Sequence, residues 1–251
     1  MPYTIDRKAL AVQPDIFRCR MHGRFVYVKK RRRRKNPLGR LAQGIIYRFT
    51  GNPLVRPPPG PGADSVAFES GRLEWLAERG IDVPRVMHRG EDYFVMSDAG
   101  PGLDLVLSRK PGSAGNLIPR ALAALRRLHG LGEAHGGAQI RNLTWSDSRI
   151  HFIDFEDDID EADLAAFQLR DVFLFIFSLE CLGLNPDIAD LCRSYDAGGE
   201  ETGRRLCAAL GGFAAIRPLN FRLPSPLGMR DIRAFISLVD KAERLTKDGV
   251  A

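Results

Sequence analysis

Two short stretches decide the fold of this 251-residue chain: HGGAQIRN at residues 135–142 and IHFIDFED at residues 150–157. The first reads as a polar loop that ends in Asn142, and the second begins with a strand over 150–155 that delivers the carboxylate of Asp154. Asparagine and aspartate oxygens on neighbouring segments suit a divalent cation and leave coordination positions open for a ligand. We therefore predict that Asn142 and Asp154 share a metal ion.

Working outward, the sequence divides into a strand-rich first part and a helical second part. Alternating apolar residues predict hairpins over 16–28 and 85–96, and helical spacing predicts helices over 38–49 and 64–80. Beyond a break near 100–102, we predict a strand pair around a turn at 146–148 and helices over 117–129, 162–182, 187–196, 203–210 and 230–245. The sequence therefore predicts an α+β fold of two lobes, with a small β-rich N-lobe over residues 1–100, a helical C-lobe over 101–251 and a ligand cleft between them.

The basic character of the chain is local. The sequence has 37 Lys and Arg residues against 31 Asp and Glu residues, which gives a formal net charge of +6. Its hydrophobic fraction of 44% is that of an ordinary globular protein. The unbroken run KKRRRRK at residues 29–35 carries more positive charge than the whole excess. It could be a solvated segment, a nucleic-acid contact or a contact with an anionic membrane surface. The run contains no aromatic side chain for base stacking, which disfavours nucleic acid.

The helix predicted over 38–49 follows this run directly. Its apolar stripe consists of Leu38, Leu41, Ile45, Ile46 and Phe49. Such a stripe most often packs into a core, but beside basic residues it is also typical of a helix on a membrane surface, which makes residues 29–50 a candidate membrane contact. We find neither a signal peptide nor a membrane-spanning stretch, and we expect a cytoplasmic protein that is at most peripheral on the inner membrane.

The order and spacing of the motifs resemble the protein-kinase-like superfamily, and most closely the small bacterial kinases of lipopolysaccharide core sugars (Kdo and heptose kinases). Counted from His135, the His-Arg-Asp catalytic loop of that superfamily has its Asp at Gly137 and its Asn at Asn142. IDFE at 153–156 matches the Asp-Phe-Gly metal motif, and VYVK at 26–29 matches the strand that carries the phosphate-binding lysine. The resemblance runs from the first hairpin to the helix after Asp154.

The resemblance implies a role for individual residues. Lys29 would contact the phosphates of ATP, Glu69 would pair with Lys29, and Asn142 and Asp154 would hold Mg²⁺. The adenine ring would meet the backbone of the connector at Met96, Ser97 and Ala99.

Two of these assignments have alternatives in the sequence. Lys30 could replace Lys29, because a shift of one residue along a strand exchanges its two faces. Glu74 could replace Glu69, since both lie in the same predicted helix.

The chain also departs from the kinase pattern. Gly137 stands at the position of the catalytic aspartate, no glycine-rich loop precedes Lys29, and Glu156 stands at the position of the motif's glycine. The candidates for orienting the acceptor hydroxyl in place of the missing aspartate are Gln139, Arg141, Glu156 and Asp157. His135 is expected to brace this degenerate loop, and Asp171 either anchors the loop's amides or is an N-terminal helix charge.

These observations predict an ATP-dependent phosphotransferase. Only a short segment separates Asp154 from the next predicted helix, which favours a small-molecule or glycan acceptor, such as a sugar hydroxyl of a lipopolysaccharide-type glycolipid, over a protein. The first alternative is a catalytically inactive pseudokinase that binds nucleotide or a partner. The second is a basic nucleic-acid-binding protein.

Overall fold

The computed structural model describes residues 4–31, 37–57, 64–213 and 229–249. The helices are α1 (Arg7–Ala11), α2 (Pro37–Thr50), α3 (Ser65–Glu78), α4 (Leu103–Arg109), α5 (Ala114–Gly130), α6 (Leu164–Cys181), α7 (Ile188–Tyr195), α8 (Glu201–Gly211) and α9 (Met229–Lys247). The strands are β1 (Ile16–Met21), β2 (Arg24–Lys30), β3 (Val86–Arg89), β4 (Tyr93–Ser97), β5 (Leu143–Ser146) and β6 (Arg149–Phe152). Residues 32–35 of the basic run lie outside the described residues.

The architecture is α+β, as predicted. An antiparallel sheet with strand order β1-β2-β4-β3 occupies the N-terminal part, and the C-terminal part is helical apart from the antiparallel pair β5-β6. A small sheet followed by a helical body is the arrangement of a two-lobed, kinase-like fold.

Strand β2 has two different faces, because successive side chains of a strand point to opposite sides. Val26 and Val28 belong to a small core cluster on the side of α1. Lys29 falls on the opposite face and is buried. Lys30 returns to the side of α1, where its Nζ donates to the carbonyl oxygens of Leu10 (3.0 Å) and Gln13 (2.7 Å). The register therefore selects Lys29, and not Lys30, as the inward lysine.

Helix α3 presents one buried face toward the sheet. It begins at a side-chain cap, in which Asp64 Oδ1 accepts from the backbone N–H groups of Val66 and Ala67. The buried residues of the helix are Val66, Glu69, Ser70, Leu73 and Leu76. Because a carboxylate buried among apolar side chains is costly without a partner, this face requires a cation opposite Glu69.

The connector after β4 packs closely on β5. Gly100 has a φ of +87°, and a Cβ atom there would lie 2.5 Å from the carbonyl oxygen of Trp145. Thr144 Oγ1 donates to the carbonyl oxygen of Ala99 at 2.7 Å, and Trp145 N–H donates to Pro101. This contact joins the N-terminal sheet to the strand pair that precedes Asp154.

The strand predicted up to Phe155 ends earlier. Strand β6 stops at Phe152, and Asp154 has a φ of +72°, in the left-handed region that a strand does not tolerate. The backbone therefore turns at Asp154 and does not continue the ladder.

Helix α2 forms close to where it was predicted, and at the described positions its stripe does not pack into the core, which was one of the two alternatives. The side chains of Leu41, Ile45, Ile46 and Phe49 are 62%, 49%, 42% and 84% exposed, and the side chain of Leu38 lies outside the described residues. Within the described part of the chain, no helix is both long enough and apolar enough to traverse a bilayer.

Candidate functional site

A buried lysine forms the centre of the site. Lys29 Nζ lies 2.7 Å from Glu69 Oε1, 2.5 Å from Asp154 Oδ1 and 2.8 Å from Glu156 Oε1, and the Lys29 side chain is only 3% exposed. Strand β2 supplies the lysine, α3 supplies Glu69, and the segment after β6 supplies the other two carboxylates. Three separate parts of the chain thus converge on one ammonium group.

The charges of this cluster are unequal, since three carboxylates face one ammonium. Burial alone would lower the pKa of Lys29, but the attraction of Glu69, Asp154 and Glu156 outweighs it and raises the pKa above the ordinary value. Burial also raises the pKa of Glu69 to about 7, against the opposing effect of Lys29. The three carboxylates therefore keep Lys29 charged.

The predicted metal ligands Asn142 and Asp154 carry the oxygen donors that Mg²⁺ prefers. Asn142 Nδ2 donates to the carbonyl oxygen of Gly137 (2.9 Å), so its amide oxygen is the end suited to a cation, and Ile153 N–H donates to the carbonyl oxygen of Asn142. Among the described residues, no three His, Cys, Asp or Glu side chains form a metal cluster. Mg²⁺ is usually held by one or two carboxylates together with substrate phosphates, and Asp154 with Asn142 matches that pattern.

Asp171 organises the loop that carries Asn142. It lies fully buried in the interior of α6, and its carboxylate accepts from the backbone N–H groups of His135 (2.6 Å), Gly136 (3.2 Å) and Ala138 (3.2 Å). Burial works against ionisation, but the bond with His129 and the loop amides outweigh it and lower the pKa of Asp171. The position in mid-helix rules out an N-terminal helix charge and leaves the anchoring alternative.

His135 braces the same loop from inside. Its Nε2 lies 2.8 Å from the carbonyl oxygen of Ile153, and its Nδ1 accepts from Gly137 N–H at 3.2 Å, so the neutral ring carries its proton on Nε2. The ring lies against Phe155 with 4.5 Å between centroids. Burial lowers the pKa of His135, which keeps the ring neutral. The histidine therefore ties the loop to the segment that carries Asp154.

The two glycines of the loop differ in what they permit. Gly136 has a φ of +81°, and a Cβ atom there would lie 3.1 Å from Asp157 Oδ2. At Gly137 a Cβ atom would make only ordinary contacts, 3.7 Å from Asn142 Nδ2 and 3.9 Å from His135 Nδ1. The conformation therefore requires glycine at 136 but not at 137, where the kinase pattern has aspartate.

The predicted connector residues have protein partners of their own. Met96 is buried in β4, the N–H of Ser97 donates to the carbonyl oxygen of Arg85, and the carbonyl of Ala99 accepts from Thr144. These backbone groups of Ser97 and Ala99 already have protein partners, and their contact with adenine stays a prediction.

The remaining candidates lie in different surroundings. Gln139 is half-buried and Arg141 is exposed on the loop. Glu74, the alternative to Glu69, is exposed and pairs with Arg89 at 2.8 Å, away from Lys29.

Arg72 is a residue of the site that sequence reasoning missed. It lies one helical turn after Glu69 on α3, and its Nη2 donates to Glu133 Oε2 (2.5 Å) and to the carbonyl oxygen of Ala134 (3.1 Å). Its Nη1 donates to the carbonyl oxygen of Asp157 at 3.3 Å. Arg72 therefore ties the helix of Glu69 to the residues just before His135 and just after the metal motif. The spacing of three residues from Glu69 was the available signal, since it places both on one helical face.

The chain has partial similarity to two known proteins. No protein-family model matches it. It is 30% identical over 129 residues to an uncharacterized protein of Haemophilus influenzae, which covers 50% of this chain and 52% of that protein. It is 35% identical over 71 residues to an aminoglycoside 3'-phosphotransferase of Streptomyces fradiae, which covers 24% of this chain and 26% of that protein. The chain thus spans about half or less of the relatives that it matches, and the second match supports a relationship to the protein-kinase-like superfamily.

Replacing Arg72 by Ala should loosen the contact between α3 and the loop. We expect Arg72→Ala to lower the free energy of unfolding by about 3 kcal/mol, because it leaves Glu133 and two carbonyl groups without their buried donor. Urea unfolding measures the loss, and hydrogen exchange of the amides at 135–138 should accelerate. Arg79→Ala, at the residue that follows α3, is the control, because Arg79 stacks on Trp75 at the surface. Equal destabilisation by both variants would contradict the assignment.

His135 should make the protein less stable in mild acid. Its folded pKa is lowered, so below its ordinary value of 6.5 the unfolded chain binds a proton that the folded chain refuses. The contribution of His135 to stability is then complete above pH 6.5 and is lost as the pH falls toward the folded pKa. The raised pKa of Glu69 acts in the opposite direction in this window, so the effect of His135 is read as a difference between the natural sequence and a His135 variant. We expect this difference in the free energy of unfolding, from urea unfolding between roughly pH 5 and pH 7.5, to change by at most about 1.4 kcal/mol per pH unit for one group. His135→Asn should change the pH dependence of the free energy of unfolding more than His151→Asn, since His151 is only half-buried; the reverse order would refute the attribution.

Proposed function

We propose that the protein is an ATP-dependent phosphotransferase that phosphorylates a sugar hydroxyl. The observation that carries this proposal is the convergence of Glu69, Asp154 and Glu156 on the buried ammonium of Lys29. A paired lysine and an adjacent metal carboxylate are the parts that phosphoryl transfer needs to hold and neutralise nucleotide phosphates. The partial similarity to a phosphotransferase supports the same class of reaction.

Each residue has a distinct task in this proposal. Lys29 binds phosphate oxygens, and Glu69 holds the lysine in place. Asp154 and Asn142 hold Mg²⁺, which supplies positive charge that neutralises the phosphates. Asp171 and His135 fix the loop so that Asn142 keeps its position relative to Asp154. The division into an N-lobe over 1–100 and a C-lobe over 101–251, with ATP between them, belongs to the same proposal.

The acceptor that we propose is a sugar of a glycolipid of the lipopolysaccharide type or of another small molecule. Only the segment from 155 to 163 separates Asp154 from α6, which offers little surface for a protein acceptor. The relative from Streptomyces fradiae is named for an aminoglycoside, which is itself a compound with sugar hydroxyls. Aminoglycosides and lipopolysaccharide core sugars therefore form the acceptor panel.

The two alternatives differ in how well the site supports them. The pseudokinase alternative rests on Gly137, which removes the usual acceptor base. The transition state of phosphoryl transfer is loose in most analyses, so positioning and charge neutralisation can provide much of the rate without that base. The nucleic-acid alternative loses support because Lys29 is buried and Lys30 is bonded to α1, so neither presents its charge to a polyanion.

Calorimetric titration with a non-hydrolysable ATP analogue, with and without Mg²⁺, tests the proposal directly. We expect binding that strengthens when Mg²⁺ is present, followed by phosphate transfer to at least one member of the acceptor panel. Binding without transfer would favour the pseudokinase, and no binding in either condition would exclude both nucleotide-dependent functions.

Lys29→Met should weaken nucleotide binding and lower any transfer rate by about a hundredfold, because it removes the fixed charge opposite the phosphates. Lys30→Met is the matched control on the opposite face of β2 and should leave both quantities nearly unchanged. Lys29→Met also leaves the buried carboxylate of Glu69 without its cation. Asp154→Asn therefore provides a second variant at a partly exposed position, and it should abolish the Mg²⁺ dependence of nucleotide binding. Equal behaviour of the two lysine variants would contradict the role of Lys29.

Gly137→Asp should increase transfer if the missing aspartate limits the rate. A side chain fits at 137, and a carboxylate there could accept the proton of the acceptor hydroxyl, an effect of about a hundredfold for general-base catalysis. Gly136→Asp is the control, and it should disrupt the loop because position 136 has a positive φ and little room. Initial rates of transfer with labelled ATP measure the effect. An unchanged rate in a folded Gly137→Asp variant would show that another group already performs this task.

A further inference from the structure

Helix α2 is attached to the protein through its polar side. Gln43 Nε2 donates to the carbonyl oxygen of Arg56 at 3.4 Å, and Arg56 Nη1 donates to the hydroxyl of Tyr47 at 2.7 Å. The Arg56 guanidinium also lies 5.0 Å from the centre of the Tyr47 ring. Gln43 and Tyr47 are four residues apart and therefore share one helical face. This face, and not the apolar one, is turned to the rest of the molecule.

The opposite side of α2 is an exposed apolar stripe. Leu41, Ile45 and Phe49 follow one another at intervals of four residues, and Ile46 flanks them. All four side chains are exposed, and the side chain of Phe49 is 84% exposed. Ordinary surface helices bury such a stripe and expose their polar residues, so α2 is inverted relative to the protein. An apolar stripe of this kind marks an interaction surface.

The sequence on both sides of the stripe is basic. From Arg31 to Ala63 it contains eight basic residues and no acidic residue, and two of the eight, Arg31 and Arg56, pair with acidic residues outside this stretch. Arg48, which adjoins the stripe on α2, is exposed. Positive charge beside exposed apolar side chains is complementary to an anionic lipid surface, which accepts cations at its headgroups and apolar side chains just below them.

We propose that α2 docks on an anionic bilayer, with Leu41, Ile45 and Phe49 inserted at the headgroup boundary and Arg48 placed on the headgroups. A nucleic acid would pair with the basic residues but would leave the apolar stripe in water. A neutral apolar partner would cover the stripe but would not pair with the basic residues. An anionic bilayer does both. This inference stands apart from phosphotransfer, because lipid binding is measured without nucleotide or acceptor.

Vesicle pelleting with the full chain tests the docking. We expect the protein to pellet with phosphatidylglycerol vesicles at low salt, to pellet weakly with phosphatidylcholine vesicles, and to be released at roughly 1 M salt, where the Debye length is about 3 Å. The triple variant Leu41→Gln, Ile45→Gln, Phe49→Gln should bind at least about tenfold more weakly, because it removes the inserted side chains. Arg48→Gln should weaken binding about fivefold.

The control variant places the same change on exposed apolar residues elsewhere. Val12→Gln with Leu105→Gln should pellet like the natural sequence, since these exposed positions lie outside α2. Thermal unfolding of every variant shows that each is folded, as expected for exposed positions.

Three results would overturn the inference. The first is no pelleting with phosphatidylglycerol at low salt, and the second is unchanged pelleting of the folded triple variant. The third is a dimer in gel filtration that the triple variant converts to a monomer, because a second copy would then cover the stripe.

Discussion

The buried ammonium of Lys29 is the constraint on which the rest of the structure depends. A charge that is 3% exposed must be neutralised within the protein, and three carboxylates do so from two different directions. The register of β2 must point Lys29 inward, α3 must present Glu69 on its buried face, and the chain must turn at Asp154 to bring its carboxylate back. The left-handed φ of Asp154 costs about 1–2 kcal/mol, which the bond to Lys29 and the anchored loop next to it offset.

A second set of buried contacts keeps this cluster from moving. Asp171 gathers three amides of the loop, and His135 ties that loop to Ile153. Arg72 then joins the loop to α3, so that the helix bearing Glu69 and the segment bearing Asp154 are held by the same side chain. The Lys29 cluster is thus held in place by side chains that lie outside it. Their arrangement is preorganised in the sense that electrostatic catalysis requires.

The sequence was sufficient to predict the site residues whose spacing is fixed by local geometry. The interval from His135 to Asn142, the strand motif before Lys29 and the acid on a buried helical face were all visible in the chain, and the structure brings Lys29, Glu69 and Asp154 into contact. Sequence reasoning did not reach Arg72, because an arginine on a helix reads as a solvated charge until its partners, more than sixty residues away, are known. It also could not decide which side of α2 faces the protein. Periodicity defines a stripe, but the direction of the stripe depends on tertiary contacts such as that of Tyr47 with Arg56.

The position of α2 in the chain links the two proposals and narrows the choice of acceptor. The helix follows the strand of Lys29 and precedes the helix of Glu69, so both ends of the segment return to the site. Seven residue steps join Lys30 to Pro37 and span at most about 25 Å even when fully extended. If both proposals hold, a bilayer that binds α2 lies near the lysine cluster and raises the local concentration of a sugar carried on a lipid. A freely diffusing sugar would gain nothing from the exposed stripe, so the inverted helix favours an acceptor anchored in the membrane.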